Sequence, residues 1–87
     1  MSNIRKFDKT NLAMLKGDKW GLLDFTGKEA LAPSYNELLF SSEGLIGVKY
    51  DNNKYGFIDK KGKVQITFEY VEINPFKNGM AIVSKGN

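Results

Sequence analysis

A tandem repeat constrains this chain more than any other feature. Residues 19–28 read KWGLLDFTGK, and 35 positions later residues 54–63 read KYGFIDKKGK. A fixed period between about 20 and 50 residues marks a repeat architecture, in which neighbouring units bury each other's apolar faces. Each copy reads as a short strand, a reversal at Asp-x-x-Gly-Lys and a second strand. The sequence therefore predicts a tandem array of β-hairpins.

The two reversals predict structural roles for four residues. Asp24 and Asp59 open the turns, where each carboxylate can accept a hydrogen bond from an amide two residues on. Gly27 and Gly62 stand where a type I turn that ends in a bulge needs positive φ. Turn capping explains the aspartates better than glycoside cleavage, which needs two carboxyl groups about 5–9.5 Å apart.

The remaining pattern predicts an all-β domain of antiparallel hairpins or meanders, with six or seven short strands. Residues 64–68 alternate apolar and polar side chains, as expected for a half-buried strand. The matching strand at residues 28–32 is expected to end at Pro33, because proline cannot donate to a ladder. Residues 1–8 are expected to form an irregular lead-in, and residues 36–40 could form a short helical turn.

The composition argues against an enzyme. The 87 residues include neither cysteine nor histidine, so thiol chemistry and the commonest general base are both absent. The sequence offers no nucleophile–base pair and no carboxylate cluster with the spacing of metal ligands. We therefore expect no catalytic residue, no cofactor and no metal site.

The aromatic residues are the candidate binding residues, and two interpretations remain open. Rings flanked by lysines could stack on a glycan or on single-stranded nucleic acid. Alternatively, equivalent rings pack between neighbouring hairpins, an interpretation favoured by the glycine that follows the aromatic residue in both copies. The net charge is +3, but arginine occurs only once, which argues against a nucleic-acid-binding stripe. The candidate binding residues are Trp20, Tyr50, Tyr55 and Phe57.

The repeat resembles the WG-repeat family of bacterial proteins. The resemblance rests on KWGLLD-x-x-GK, a tyrosine about eight residues later, and Phe-x-x-Gly-x-Ala-x-Val at residues 76–83. Tyr55 departs from the signature tryptophan, and Asn11 replaces a glycine at a position expected to have positive φ. The resemblance implies tandem β-hairpins and no assigned catalytic residues. It divides a single domain, residues 1–87, into a partial repeat at 7–18 and repeats at 19–49 and 54–85.

These observations favour a non-enzymatic module for protein–protein interaction, such as a scaffold or a small cytosolic inhibitor. A module that binds glycan or single-stranded nucleic acid is the alternative. The strand expected at residues 80–84 lacks a following hairpin, so it should pair with another edge of the same chain, closing a sheet, or else with a second copy. Without a signal peptide or an apolar run of about 20 residues, we expect a cytoplasmic chain with no membrane partner, if the chain is a complete protein.

Overall fold

The structure, a computed structural model, describes residues 3–86. This part of the chain forms ten short strands and no helix, which confirms the all-β prediction. Residues 3–86 therefore contain no helix that is long and apolar enough to cross a membrane. The strands are β1 (Ile4–Lys6), β2 (Asn11–Lys16), β3 (Lys19–Asp24), β4 (Glu29–Tyr35), β5 (Glu37–Ser42), β6 (Leu45–Lys49), β7 (Tyr55–Asp59), β8 (Val64–Tyr70), β9 (Glu72–Ile73) and β10 (Val83–Ser84).

The strands form two four-stranded antiparallel meanders and one two-stranded sheet. The first sheet has the order β1-β2-β3-β4, the second β5-β6-β7-β8, and the third consists of β9 and β10. The strand register repeats with the sequence. Trp20 is paired with Tyr35 in the first sheet, and Tyr55 with Tyr70 in the second. The 35-residue period therefore specifies the pairing as well as the strand positions.

Ten strands exceed the predicted six or seven because β1, β5 and β9 are extended where no strand was predicted. Residues 4–6 pair with β2 instead of forming an irregular lead-in. The Asp8 carboxylate organises the turn before β2 by accepting hydrogen bonds from the amides of Thr10 at 2.9 Å and Asn11 at 2.8 Å. This turn aligns β1 with β2.

Two further expectations about local structure were wrong. Residues 37–40 of the suggested helical turn at 36–40 lie in β5, which pairs with β6. Pro33 does not end β4, because the register shifts between the pairs Trp20–Tyr35 and Leu22–Leu31. The three residues 20–22 thus oppose the five residues 31–35. Pro33 lies in this irregularity, where no ladder donor is required.

Asn11 also differs from expectation. It begins β2, and the non-glycine residues with positive φ within residues 3–86 are Glu43, Asn53 and Asn78. Its buried side chain donates a hydrogen bond from Nδ2 to the carbonyl of Leu23 at 3.2 Å. Asparagine at this position therefore links β2 to β3 through its side chain.

The hydrophobic core is formed by residues from both four-stranded sheets. Its cluster of buried residues comprises Ala13, Leu22, Leu31, Tyr35, Leu38, Ile46, Val48 and Ile58. The β7–β8 turn of the second sheet also reaches the first sheet. A Cβ atom on Gly62 would lie 3.2 Å from Leu31 Cδ2. Lys60 Nζ lies 3.2 Å from Asp8 Oδ2, so an ion pair joins the same turn to the first sheet.

Candidate functional site

The two signature aromatic residues are half-buried, and each ring has a cation near it. The Arg5 guanidinium carbon lies 4.7 Å from the ring centroid of Trp20. Lys49 Nζ lies 5.6 Å from the ring centroid of Tyr55. Cations at this distance are attracted by the electron-rich face of an aromatic ring. The chain's own side chains therefore occupy space that a stacked ligand would use.

The other two candidate binding residues contact neighbouring rings. Phe57 has no exposed surface and packs edge-on against Phe76, with 4.9 Å between centroids. A side chain buried in this way cannot contact a ligand from solvent. Tyr50 is partly exposed and stacks on Phe68 at 4.6 Å with an interplanar angle of 13°. The structure thus places the candidate rings within or beside the core, and not in one exposed row.

The glycine after each signature aromatic residue allows two strands to approach closely. A Cβ on Gly21 would lie 2.5 Å from the carbonyl oxygen of Leu31, and a Cβ on Gly56 would lie 2.5 Å from that of Ile66. Real Cβ atoms essentially never approach a backbone atom so closely. Both glycines lie at the register shift of their sheet. The aromatic–glycine pair is therefore explained by the packing of a large ring beside a tight backbone contact.

The four predicted turn residues form two closely similar turns. Asp24 Oδ1 accepts hydrogen bonds from the amides of Thr26 at 2.9 Å and Lys28 at 3.0 Å. In the second copy, Asp59 Oδ1 accepts bonds of 2.9 Å from the amides of Lys61 and Lys63. The predicted bond to the amide two residues on is thus present in both turns. The turn glycines have the φ angles that the sequence predicts, 93° at Gly27 and 91° at Gly62.

These hydrogen bonds also change the acidity of the two aspartates. A hydrogen bond from the Thr26 hydroxyl, with those from the turn amides, lowers the pKa of Asp24 below its ordinary value. The backbone hydrogen bond from Lys63 is the largest cause that lowers the pKa of Asp59. Both carboxylates are held in their charged form by the turns that they cap. Their geometry supports turn stabilisation and gives no indication of acid–base chemistry.

A polar cleft of about 400 Å³ lies within residues 3–86. It is lined by Asp8, Lys9, Thr10, Ser41 and Lys60. Lys60 Nζ donates a 2.9 Å hydrogen bond to Thr10 Oγ1 in addition to its ion pair with Asp8. These polar groups are therefore already engaged with one another. Within residues 3–86, no group of three or more acidic residues is positioned to hold a metal ion.

Among residues 3–86, the most exposed large apolar residues lie in the segment between β9 and β10. Met80 is 75% exposed and Ile82 is 77% exposed. Both line a groove of about 380 Å³ together with Asn74, Pro75, Lys77, Asn78 and Ala81. The 43% exposed Val71 lies at the start of the same region. Exposed apolar residues that are grouped in one region indicate an interaction surface more strongly than the same residues scattered singly.

The strand expected at residues 80–84 is shorter than predicted. Only Val83 and Ser84 form β10, which pairs with β9 of the same chain. Met80 instead forms an isolated bridge with Lys77. The prediction of pairing within the chain is thus correct for residues 83–84, but closure of a sheet is not seen. Among residues 3–86, no strand pairs with the second edge of β10.

Sequence reasoning did not single out the outer face of β8 as a candidate site. Ile66 and Tyr70 on this strand are half-buried, whereas the equivalent Leu31 and Tyr35 on β4 are 5% and 8% exposed. The β7–β8 turn covers the residues on β4. The 35-residue offset could have indicated this face, because it relates each residue on β4 to the equivalent residue on β8.

Comparison with protein families identifies this architecture. The model of the WG containing repeat matches residues 20–55 and again residues 55–87. Comparison with curated proteins finds no match, and comparison with solved structures finds none either. The two matches together span more than half of the chain, and they begin at the aromatic–glycine pairs whose close contacts define each sheet. The chain therefore belongs to the WG-repeat family.

Proposed function

We propose that this chain is a non-enzymatic module that binds another protein, as a scaffold or a small inhibitor. The observation that carries the proposal is the apolar groove lined by residues 74–82, in the segment that joins β9 to β10. Within residues 3–86, β10 also has one unpaired edge. Apolar side chains in such a groove gain free energy when a partner removes them from water. An exposed strand edge adds backbone donors and acceptors that an extended partner segment can use.

The surroundings of the lysines favour a protein over a glycan or a nucleic acid. Single-stranded nucleic acid is held by free cations that follow the backbone and by ring faces on which bases stack. Here two lysines near the candidate rings are paired with carboxylates of the same chain, Lys19 with Asp51 at 2.8 Å and Lys49 with Glu37 at 3.9 Å. The rings themselves contact Arg5, Lys49 and Phe68. The groove, in contrast, is mainly apolar.

The proposal is tested by capture of partners on the full-length immobilised chain, with two exposed apolar residues compared. Ile82→Lys introduces a charge into the groove, and Phe25→Lys introduces the same charge at a distant turn, where the side chain is 55% exposed. We expect one protein partner to be retained between 0.1 and 0.5 M salt. Its recovery should fall at least tenfold with Ile82→Lys and remain unchanged with Phe25→Lys.

Two results would contradict the proposal. One is equal loss, or no loss, of the partner with both variants. The other is specific binding of oligonucleotides or oligosaccharides by a chain that retains no protein. Oligonucleotide binding would be recognised by a steep fall in affinity with salt, because cations are released from the phosphates on binding.

A further inference from the structure

We infer that the open edge of β10 and the outer face of β8 together accept one β-hairpin of a partner protein, with the same sequence pattern as β7–β8. This inference rests on the proposed function, since it assigns the binding surface and the chemistry of the partner. It follows from comparing each sheet with the preceding one, in which the equivalent surfaces are already occupied.

The β9–β10 pair is placed against the second sheet as β5 and β6 are placed against the first sheet. The amide of Asn36 donates a 2.8 Å hydrogen bond to the carbonyl of Lys49 where β5 meets β6. The amide of Val71 donates an equal bond to Ser84, 35 residues later. In addition, β9 packs against β7 as β5 packs against β3. The third sheet therefore reproduces the first half of a four-stranded meander.

The occupant of the equivalent strand edge is known from the second sheet. There, Val48 of β6 pairs with Gly56 of β7, and Ile46 pairs with Ile58. The residues 35 positions after Val48 and Ile46 are Val83, which lies in β10, and Ala81, which lies two residues before it. The carbonyl of Ser84 faces β9, so the backbone groups of Val83 face the opposite, open edge. A strand of the β7 type thus fits this edge by β-augmentation.

The same hairpin would cover the exposed face of the second sheet. While β7 pairs with β6, the turn that follows it brings Gly62 against Leu31 and Tyr35 of the first sheet. A hairpin paired with β10 in the same geometry would bring its turn glycine against Ile66 and Tyr70. These two residues are half-buried at present, unlike their covered counterparts. One partner segment therefore accounts for both the open edge and the partly exposed face.

The required partner has a defined pattern: an aromatic residue, glycine, two apolar residues and aspartate, then a turn with glycine in the left-handed region. The first glycine is needed because a Cβ at Gly56 would clash with the returning strand. The turn glycine is needed because Gly62 has a φ of 91°. An ordinary amphipathic hairpin lacks both features and should bind poorly.

The test uses the 87-residue protein labelled with ¹³C and ¹⁵N, and a backbone-cyclised peptide with the sequence of residues 54–70. We expect amide chemical-shift changes at Ala81 and Val83, together with side-chain changes at Ile66 and Tyr70. Val83→Pro removes the outward-facing amide donor and should weaken peptide binding at least tenfold. The matched variant Val83→Thr keeps the amide and the branched side chain, and should bind as the wild type does.

Proline can disturb β10 itself, so Tyr70→Ala provides an independent variant on the covered face and should also weaken binding at least tenfold. The inference is overturned if the peptide leaves Ala81 and Val83 unshifted, or if it binds Val83→Pro and Tyr70→Ala as tightly as it binds the wild type. It is also overturned if the protein without peptide sediments as a dimer that Val83→Pro dissociates, because a second copy is then the occupant. If the peptide does not bind but a protein is still captured and is lost with Ile82→Lys, the hairpin is rejected as the occupant and the proposed function is retained.

Discussion

Replacing Gly21 with alanine tests the explanation of the aromatic–glycine pair directly. The new Cβ would lie 2.5 Å from the carbonyl oxygen of Leu31 and 2.8 Å from the nitrogen of Pro33. Ordinary van der Waals contacts lie at 3.4–4 Å, so the strands would have to separate by about 1 Å. Both contacted atoms belong to the backbone, and a side-chain rotation therefore cannot relieve the clash. The same argument applies to Gly56→Ala.

The magnitude follows from two opposing contributions. Overpacking typically destabilises a protein by about 1–3 kcal/mol, and a clash with backbone belongs at the upper end, about 3 kcal/mol. The loss of glycine's freedom in the unfolded chain offsets about 0.4–1 kcal/mol. We therefore expect Gly21→Ala to lower the free energy of unfolding by about 2 kcal/mol. A domain of this size loses about 4–8 °C in Tm for each kcal/mol, so the shift should be about 8–16 °C.

Urea unfolding followed by circular dichroism measures this change, with Gly27→Ala as the control. No atom lies within 4 Å of a Cβ on Gly27, so the control reports only the cost of its positive φ, about 1 kcal/mol. Gly56→Ala should match Gly21→Ala, because its shortest contact is also 2.5 Å. If either variant were no more destabilising than the control, the close backbone approach would not be the reason why glycine follows the aromatic residue in both copies.

Three further predictions concern single residues. Asp59→Asn should flatten the dependence of unfolding free energy on pH, measured by urea unfolding from pH 2 to 7. Because the pKa of Asp59 is lowered in the folded state, its contribution to stability is complete above about pH 4 and is lost as the pH falls through the folded pKa. Phe57→Ala removes a fully buried ring and should lower the free energy of unfolding by about 3–5 kcal/mol, seen as a reduced urea midpoint. Arg5→Met should change the fluorescence of Trp20, the single tryptophan, and cost about 0.5–1 kcal/mol in the same unfolding assay; unchanged emission would show that the guanidinium does not lie over the ring in solution.

The sequence was sufficient to predict the all-β class, the hairpins and the turn geometry. These features depend on local chemistry repeated twice, such as an aspartate that caps a turn and a glycine with positive φ at Gly27 and Gly62. The extra strands could not be predicted in the same way. Residues 4–6 become a strand only because β2 supplies a partner, and a lone short segment carries no periodic signal. Pro33 likewise lies within a strand because tertiary packing places it at a register shift.

The candidate site was harder to predict than the fold, for a related reason. Exposure depends on which neighbouring sheet covers a residue, and the two copies are alike in sequence but differ in this respect. Trp20 and Tyr55 could be identified as a pair, but the cations over their rings come from β1 and β6 at positions that are not related by the repeat. The groove at Met80 and Ile82 depends on the irregular path of residues 74–82, which the repeat pattern does not describe.

The contact of the β7–β8 turn with Leu31 and Tyr35 makes the surroundings of the two four-stranded sheets unequal. In a linear array, each unit is stabilised by the interfaces with its immediate neighbours, so a unit covered on one side only opens at a lower free energy. The outer strand of the first sheet is covered by the following sheet, whereas Ile66 and Tyr70 on the second remain partly exposed. The amides of β8 should therefore exchange with deuterium faster than the corresponding amides of β4. Two copies with the same register would then differ in local stability because a neighbouring turn covers the outer strand of only one of them.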